Sequence, residues 1–136
     1  MIHQGEIIEP LLDVRNLRTE FATDGGTVRA VDDASFSIMP GERIAVVGES
    51  GSGKSAMAMS ILRLLVYPGR VVGGDVLLEG TNLAQLGERQ LKMLRGRTVG
   101  TVFQDPMSSL DPVMRVSKQM IAPIMRNLGM TYTNLH

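Results

Sequence analysis

Hydrophobic and polar positions alternate most cleanly over Ala34-Ser35-Phe36-Ser37-Ile38. That period of two suits a half-buried antiparallel strand. Residues 28–39 as a whole, and residues 11–21 before them, read as two strands joined by the turn-rich segment ATDGGT. Pro40-Gly41-Glu42 turns the chain into residues 43–47, RIAVV, which are apolar on both faces after the arginine, as in a buried parallel strand. From 54 to 65 the period changes. Apolar residues fall on nearly every side of a helix, interrupted by Ser60 and Arg63, which predicts a helix packed within the domain. Tyr67-Pro68-Gly69 ends it. Residues 71–79 read as a strand, 87–94 as a short helix, and 98–103, TVGTVF, as a further β-branched strand. The last element, 116–128, has a helical pattern that Pro123 is expected to kink or break.

Composition narrows the classes. The 136 residues are 43% hydrophobic and 21% charged, enough apolar material for one modest domain and too much for a disordered chain. Fourteen basic residues balance fourteen acidic ones, so nothing suggests general affinity for nucleic acid or an anionic membrane. There is no cysteine, which excludes disulfides, thiolate metal sites and cysteine nucleophiles. His3 and His136 stand at opposite ends, against a histidine-based metal or acid–base cluster. The start, MIHQGEIIEP, has no signal-peptide pattern, and the run 56–66 is too short to span a membrane. These features point to a soluble, cytoplasmic chain that meets a membrane only through a protein partner.

Chemistry enters at GESGSGKS: Gly48, Glu49, Ser50, Gly51, Ser52, Gly53, Lys54 and Ser55. The stretch matches G-x-x-x-x-G-K-[ST] in full, with an apolar strand candidate before it and a helix after it, the context that pattern requires. Glycines let successive backbone N–H groups point inward at a helix N-terminus, where the helix dipole favours an anion. Lys54 supplies a mobile charge for the β and γ phosphates of a nucleotide, and the Ser55 hydroxyl suits Mg²⁺. Glu49 and Ser50 read as variable fillers within the loop. Met57 and Met59 read as core gap-fillers, and Asp13, Asp32 and Asp33 as solvated acids on strand edges or turns.

Phosphate loops serve kinases, GTPases, helicases and transport ATPases alike. The selective stretch is FQDPMSSLDP, residues 103–112, directly after TVGTV. Here the chain resembles the ATPases of ATP-binding cassette (ABC) transporters, and within them the oligopeptide/dipeptide importers. PGERIAVV, GESGSGKS and YPGRVVGGDVLLEG share that resemblance, which runs from about residue 11 to about residue 128. Asp111 departs from the asparagine more usual there. The resemblance implies an α/β fold of the phosphate-loop NTPase type with an antiparallel β-subdomain. It makes Gln104 the catalytic Q-loop residue, touching Mg²⁺ and the attacking water and linking the ATP site to the membrane subunits. Without it, Gln104 reads as a polar strand cap. It also sets Phe21 near the position of an aromatic that stacks on adenine, with ordinary core packing as the other reading.

The function so implied is an ATPase (a translocase) of a peptide or related small-solute importer, binding ATP and Mg²⁺ at the cytoplasmic face of the inner membrane. Its partners would be transmembrane permease subunits, a second ATP-binding subunit (identical or different) and, indirectly, a solute-binding protein. The expected layout is a tail over 1–10, the N-terminal part of the ATP-binding domain over 11–128, and an atypical end over 129–136. An LSGGQ-type signature loop, an apolar strand ending in aspartate and glutamate, and a later histidine are not found in the sequence. The core sheet is therefore expected to be incomplete because the chain ends early, as in a truncated, frameshifted or fragment product inactive alone. Other readings are a stand-alone nucleotide-binding or regulatory module, or a small phosphate-loop kinase or GTPase. An Asn-Lys-x-Asp guanine reader and an arginine-rich lid, expected of the last two, are both missing.

Overall fold

The computed structural model describes residues 9–105 and 109–129, which fall into two compact units dividing between Leu86 and Gly87. In the first unit, β1 (Leu12–Thr23) and β2 (Gly26–Ile38) form a long hairpin closed by Asp24 and Gly25. The residue of this turn with positive φ is Gly26, at 119°, a backbone conformation that glycine adopts without steric cost. β3 (Gly69–Leu78) pairs antiparallel with the other side of β1, and the short β4 (Thr81–Asn82) follows, giving the order β2-β1-β3-β4. Leu12 faces Ile38 on one side and Leu78 on the other; Phe21 faces Val28 and Gly69. The alternation over 34–38 appears as expected, with Ala34, Phe36 and Ile38 half-buried and Ser35 and Ser37 exposed.

The core of this unit is small: Val14, Leu17, Val31, Val76 and Leu83 are the buried apolar side chains. Helix α1 (Lys54–Ile61) follows the phosphate-loop sequence. After it the chain turns sharply at Arg63, whose guanidinium donates to the carbonyls of Leu83 and Leu86, each at 3.1 Å. This ties the helix end to the turn after β4. Asp13, Asp32 and Asp33 pair at the surface with Arg15, Arg29 and Arg18, at 2.6, 3.3 and 3.3 Å.

Three expectations are corrected. Residues 43–47 form no strand and are exposed, with Val46 50% and Val47 88% accessible. No described strand pairs with them, and a parallel strand exists only by pairing with neighbours distant in sequence. Helix α1 stops at Ile61 rather than 65 and is only half-covered, Ser60 being its one buried residue; β1, β2 and β3 of the antiparallel sheet pack against it. Residues 98–103 likewise form no strand, and Val102 is 96% exposed.

The second unit holds α2 (Glu88–Arg97) and α3 (Val116–Leu128). Leu91 is its buried anchor, and the Gln90 side chain accepts from the Gly87 N–H at 3.0 Å at the start of α2. Pro123 lies inside α3 without ending it. The Gln119 side chain donates to the carbonyls of Asp111 and Met114 and accepts from the Asp111 N–H, which fixes the approach to α3.

Candidate functional site

Residues 48–55 lead from segment 43–47 into α1. Gly53, directly before the helix, has φ 88° and ψ 1°, a left-handed conformation that glycine adopts without steric cost. A Cβ at Gly53 would stand 2.1 Å from the carbonyl oxygen of Ala30 on β2, so the loop is pressed onto that strand at a distance only glycine allows. Gly51 is also left-handed, at φ 82°. Such residues provide the backbone condition for a concave row of N–H groups, an anion-binding nest.

The first N–H groups of a helix have no partner within it. In α1 no side chain caps them and no acidic residue occupies the first turn, so the positive pole of the helix dipole is uncompensated. Lys54 curls back over the loop. Its Nζ donates to the carbonyls of Gly48 and Glu49 at 2.7 and 2.5 Å, and to Ser52 Oγ at 3.1 Å. Three protons meet three uncharged acceptors. The loop is thereby held closed while the ammonium keeps its charge available to an anion. Ser55 is exposed in the first turn of α1. A cavity of about 310 Å³ opens beside the loop, lined in part by Ala30, Asp32, Val46, Gly53, Lys54 and Met57.

The fold thus brings Gly48, Glu49, Ser52, Gly53 and Lys54 into one cradle, with Ser50 and Gly51 on its exposed turn. Phe21 lies elsewhere on the first unit: its half-buried ring rests on the first residue of β3, where a Cβ on Gly69 would meet Cε1 at 2.6 Å. Gln104 belongs to the second unit, exposed at a bend rather than at the end of a strand. Pro106, Met107 and Ser108 of the FQDPMSSLDP stretch lie outside the described residues. Among the described residues no group of three His, Cys, Asp or Glu side chains could hold a metal. The Ser55 hydroxyl oxygen fits a hard cation bound chiefly through phosphate oxygens and water, as Mg²⁺ is.

Sequence reasoning missed two supports of this site. One is the Ala30 carbonyl against Gly53, which leaves no trace in the sequence. The other is a buried hydroxyl pair, Thr19 with Ser60 at 2.6 Å. Its signal was present, since Ser60 is a polar residue set among the apolar residues 56–62.

Comparison with known proteins agrees with this geometry. The oligopeptide transport ATP-binding protein OppD of Salmonella typhimurium is 45% identical over 121 residues, 89% of this chain and 36% of that protein. The dipeptide transport ATP-binding protein DppD of Lactococcus lactis is 40% identical over 124 residues, 90% of this chain and 36% of that protein. The chain thus spans about a third of the length of the curated relatives it matches. The dimeric ATP-binding cassette MJ0796 superposes with a TM-score of 0.74 at 23% identity, over 85% of this chain and 47% of that one. The fold is therefore part of an ATP-binding cassette, the phosphate-loop α/β type with its antiparallel β-subdomain. Residues 31–135, most of the chain, match the ABC transporter family, and the chain belongs to that family.

Proposed function

We propose that this chain carries the phosphate-binding part of an ATP-binding subunit, one that drives import of peptides or related small solutes. The observation that carries the reading is the cradle itself: an uncapped helix N-terminus, left-handed glycines and a lysine that donates to three neutral oxygens of the loop. In it the N–H groups of residues 48–55 hold the phosphates of ATP, and Lys54 exchanges its bonds to loop carbonyls for bonds to phosphate oxygens. Ser55 supplies a hydroxyl to Mg²⁺, and the bound ion would neutralise charge on the phosphates. Gln104 is the proposed contact to the attacking water and Mg²⁺, and Phe21 the proposed platform for adenine; the sequence resemblance supports both.

Peptide import follows from the names of the relatives, and a second ATP-binding subunit from the dimeric cassettes of the same fold. Permease subunits at the cytoplasmic face of the membrane complete the proposed assembly. No helix among the described residues is long and apolar enough to cross a membrane, so in this proposal attachment comes through those subunits. Residues 11–128 are proposed as the N-terminal part of the ATP-binding domain.

Calorimetry tests the phosphate site. Lys54→Ala should weaken Mg-ATP binding about 10- to 100-fold, the worth of a charge-assisted contact of roughly 1.5–3 kcal/mol. Lys92→Ala, on the exposed face of α2, should change it less than about twofold. Equal affinities for the two variants would remove the reading.

A further inference from the structure

Helix α1 has no stripe that would seat it. Ala56, Met57, Ala58, Met59 and Ile61 surround it, so hydrophobic burial alone does not choose its rotation. At eight residues it is also too short to be stable by itself. Two polar contacts help to fix its rotation on the sheet. At its start Gly53 lies against the Ala30 carbonyl of β2; near its end Ser60 Oγ meets Thr19 Oγ1 of β1 at 2.6 Å. The two seats are seven residues apart, about 10 Å along a helix axis.

The hydroxyl pair is fully enclosed, with Thr19 0% and Ser60 1% accessible. Ser60 Oγ also lies 2.6 Å from the Ala56 carbonyl, which can only accept. The single Ser60 proton therefore goes to Ala56, and Thr19 donates to Ser60. This relay runs from β1 to a carbonyl in the first turn of α1, one residue beyond Ser55. Its other end lies two residues before Phe21 on the same strand.

We propose that Thr19 and Ser60 are positioning residues that set the phosphate loop in register with β1, and so govern affinity for a nucleotide that touches both the loop and Phe21. The inference rests on the phosphate-loop reading and on the proposed Phe21–adenine contact given above. Lys54 bonds only within the loop, so the cradle keeps its internal shape when the relay is cut. A ligand held by the loop alone is then indifferent to the pair, whereas one spanning loop and strand is not.

The test compares Mg-ATP with Mg-tripolyphosphate by calorimetry on the whole chain. Thr19→Val keeps shape and removes the donor; it should weaken ATP binding about three- to tenfold, the factor one net hydrogen bond supplies. Tripolyphosphate affinity should stay within about twofold, and Thr19→Ser, which keeps the hydroxyl, should restore ATP binding. Ser60→Ala should reproduce the Thr19→Val pattern. Unchanged ATP affinity in both variants would overturn the proposal. So would equal losses for the two ligands, which would mark a merely structural role. Failure of the unaltered chain to bind tripolyphosphate would instead remove the phosphate-loop reading, and this proposal with it.

Discussion

The β1–β2–β3 sheet and segment 43–47 are both rich in strand-forming residues, yet only the first is a sheet. β1 and β2 are joined by two residues and pair along their length from Thr23–Gly26 to Leu12–Ile38. Each bond forms between residues brought close by the turn, so the entropy of closing the loop is small. Segment 43–47 has Ile44, Val46 and Val47 exposed, and no described strand offers it a ladder. The β1–β2 hairpin carries its own partners in sequence order. A parallel strand takes them from elsewhere, which makes its existence a property of the whole sheet rather than of five residues.

The largest expected contrast is in amide hydrogen exchange. Amides central in β1, such as those of Val14 and Thr19, should exchange at least roughly 100-fold more slowly than those of Ile44 to Val47, since opening energies run from about zero to the global stability. Equal protection in both regions would mean that 43–47 is paired in solution, and the contrast would collapse.

Core truncation sharpens the same point. Leu17 is wholly buried in β1, and Leu17→Ala should cost about 2–5 kcal/mol in denaturant unfolding. Val47→Ala removes two methyl groups from a side chain already 88% exposed, and should change stability by less than about 0.5 kcal/mol. A Val47→Ala loss comparable to that of Leu17→Ala would place the segment in a core.

The smallest effect concerns the irregular pairing within the hairpin. Asp33 has φ 61°, and the Asn16 side-chain amide donates to its carboxylate at 3.0 Å. That bond holds its pKa below the ordinary carboxylate value; partial desolvation opposes the shift, and the Arg18 guanidinium at 3.3 Å adds to it. A depressed folded-state pKa gives stability that is present above the unfolded value of about 3.9 and lost as pH falls through the folded one. The stability difference between the natural chain and Asp33→Asn should therefore shrink below about pH 4, and high salt should reduce it. A difference that stays constant from pH 6 to pH 2 would show that Asp33 makes no charge-dependent contribution.

Much of the candidate site was legible because it is local. Gly48 to Ser55 specifies its own chemistry, since the left-handed glycines, the lysine and the helix start lie within eight consecutive positions. The hairpin was equally readable, through the alternation at 34–38 and the turn-rich ATDGGT segment. Helix α2 extended to Arg97, three residues past its expected end, and α3 absorbed Pro123, both boundary effects of packing and capping.

What the residues alone determined is therefore the phosphate-loop motif, the β1–β2 hairpin and the positions of the three helices, all set by interactions within one turn or between neighbours in sequence. Tertiary structure decided the rest. It pressed Gly53 onto the Ala30 carbonyl, joined Thr19 to Ser60 across forty-one positions, and left residues 43–47 and 98–103 without strand partners. Those outcomes depend on which distant backbone lies alongside, and no local pattern encodes that.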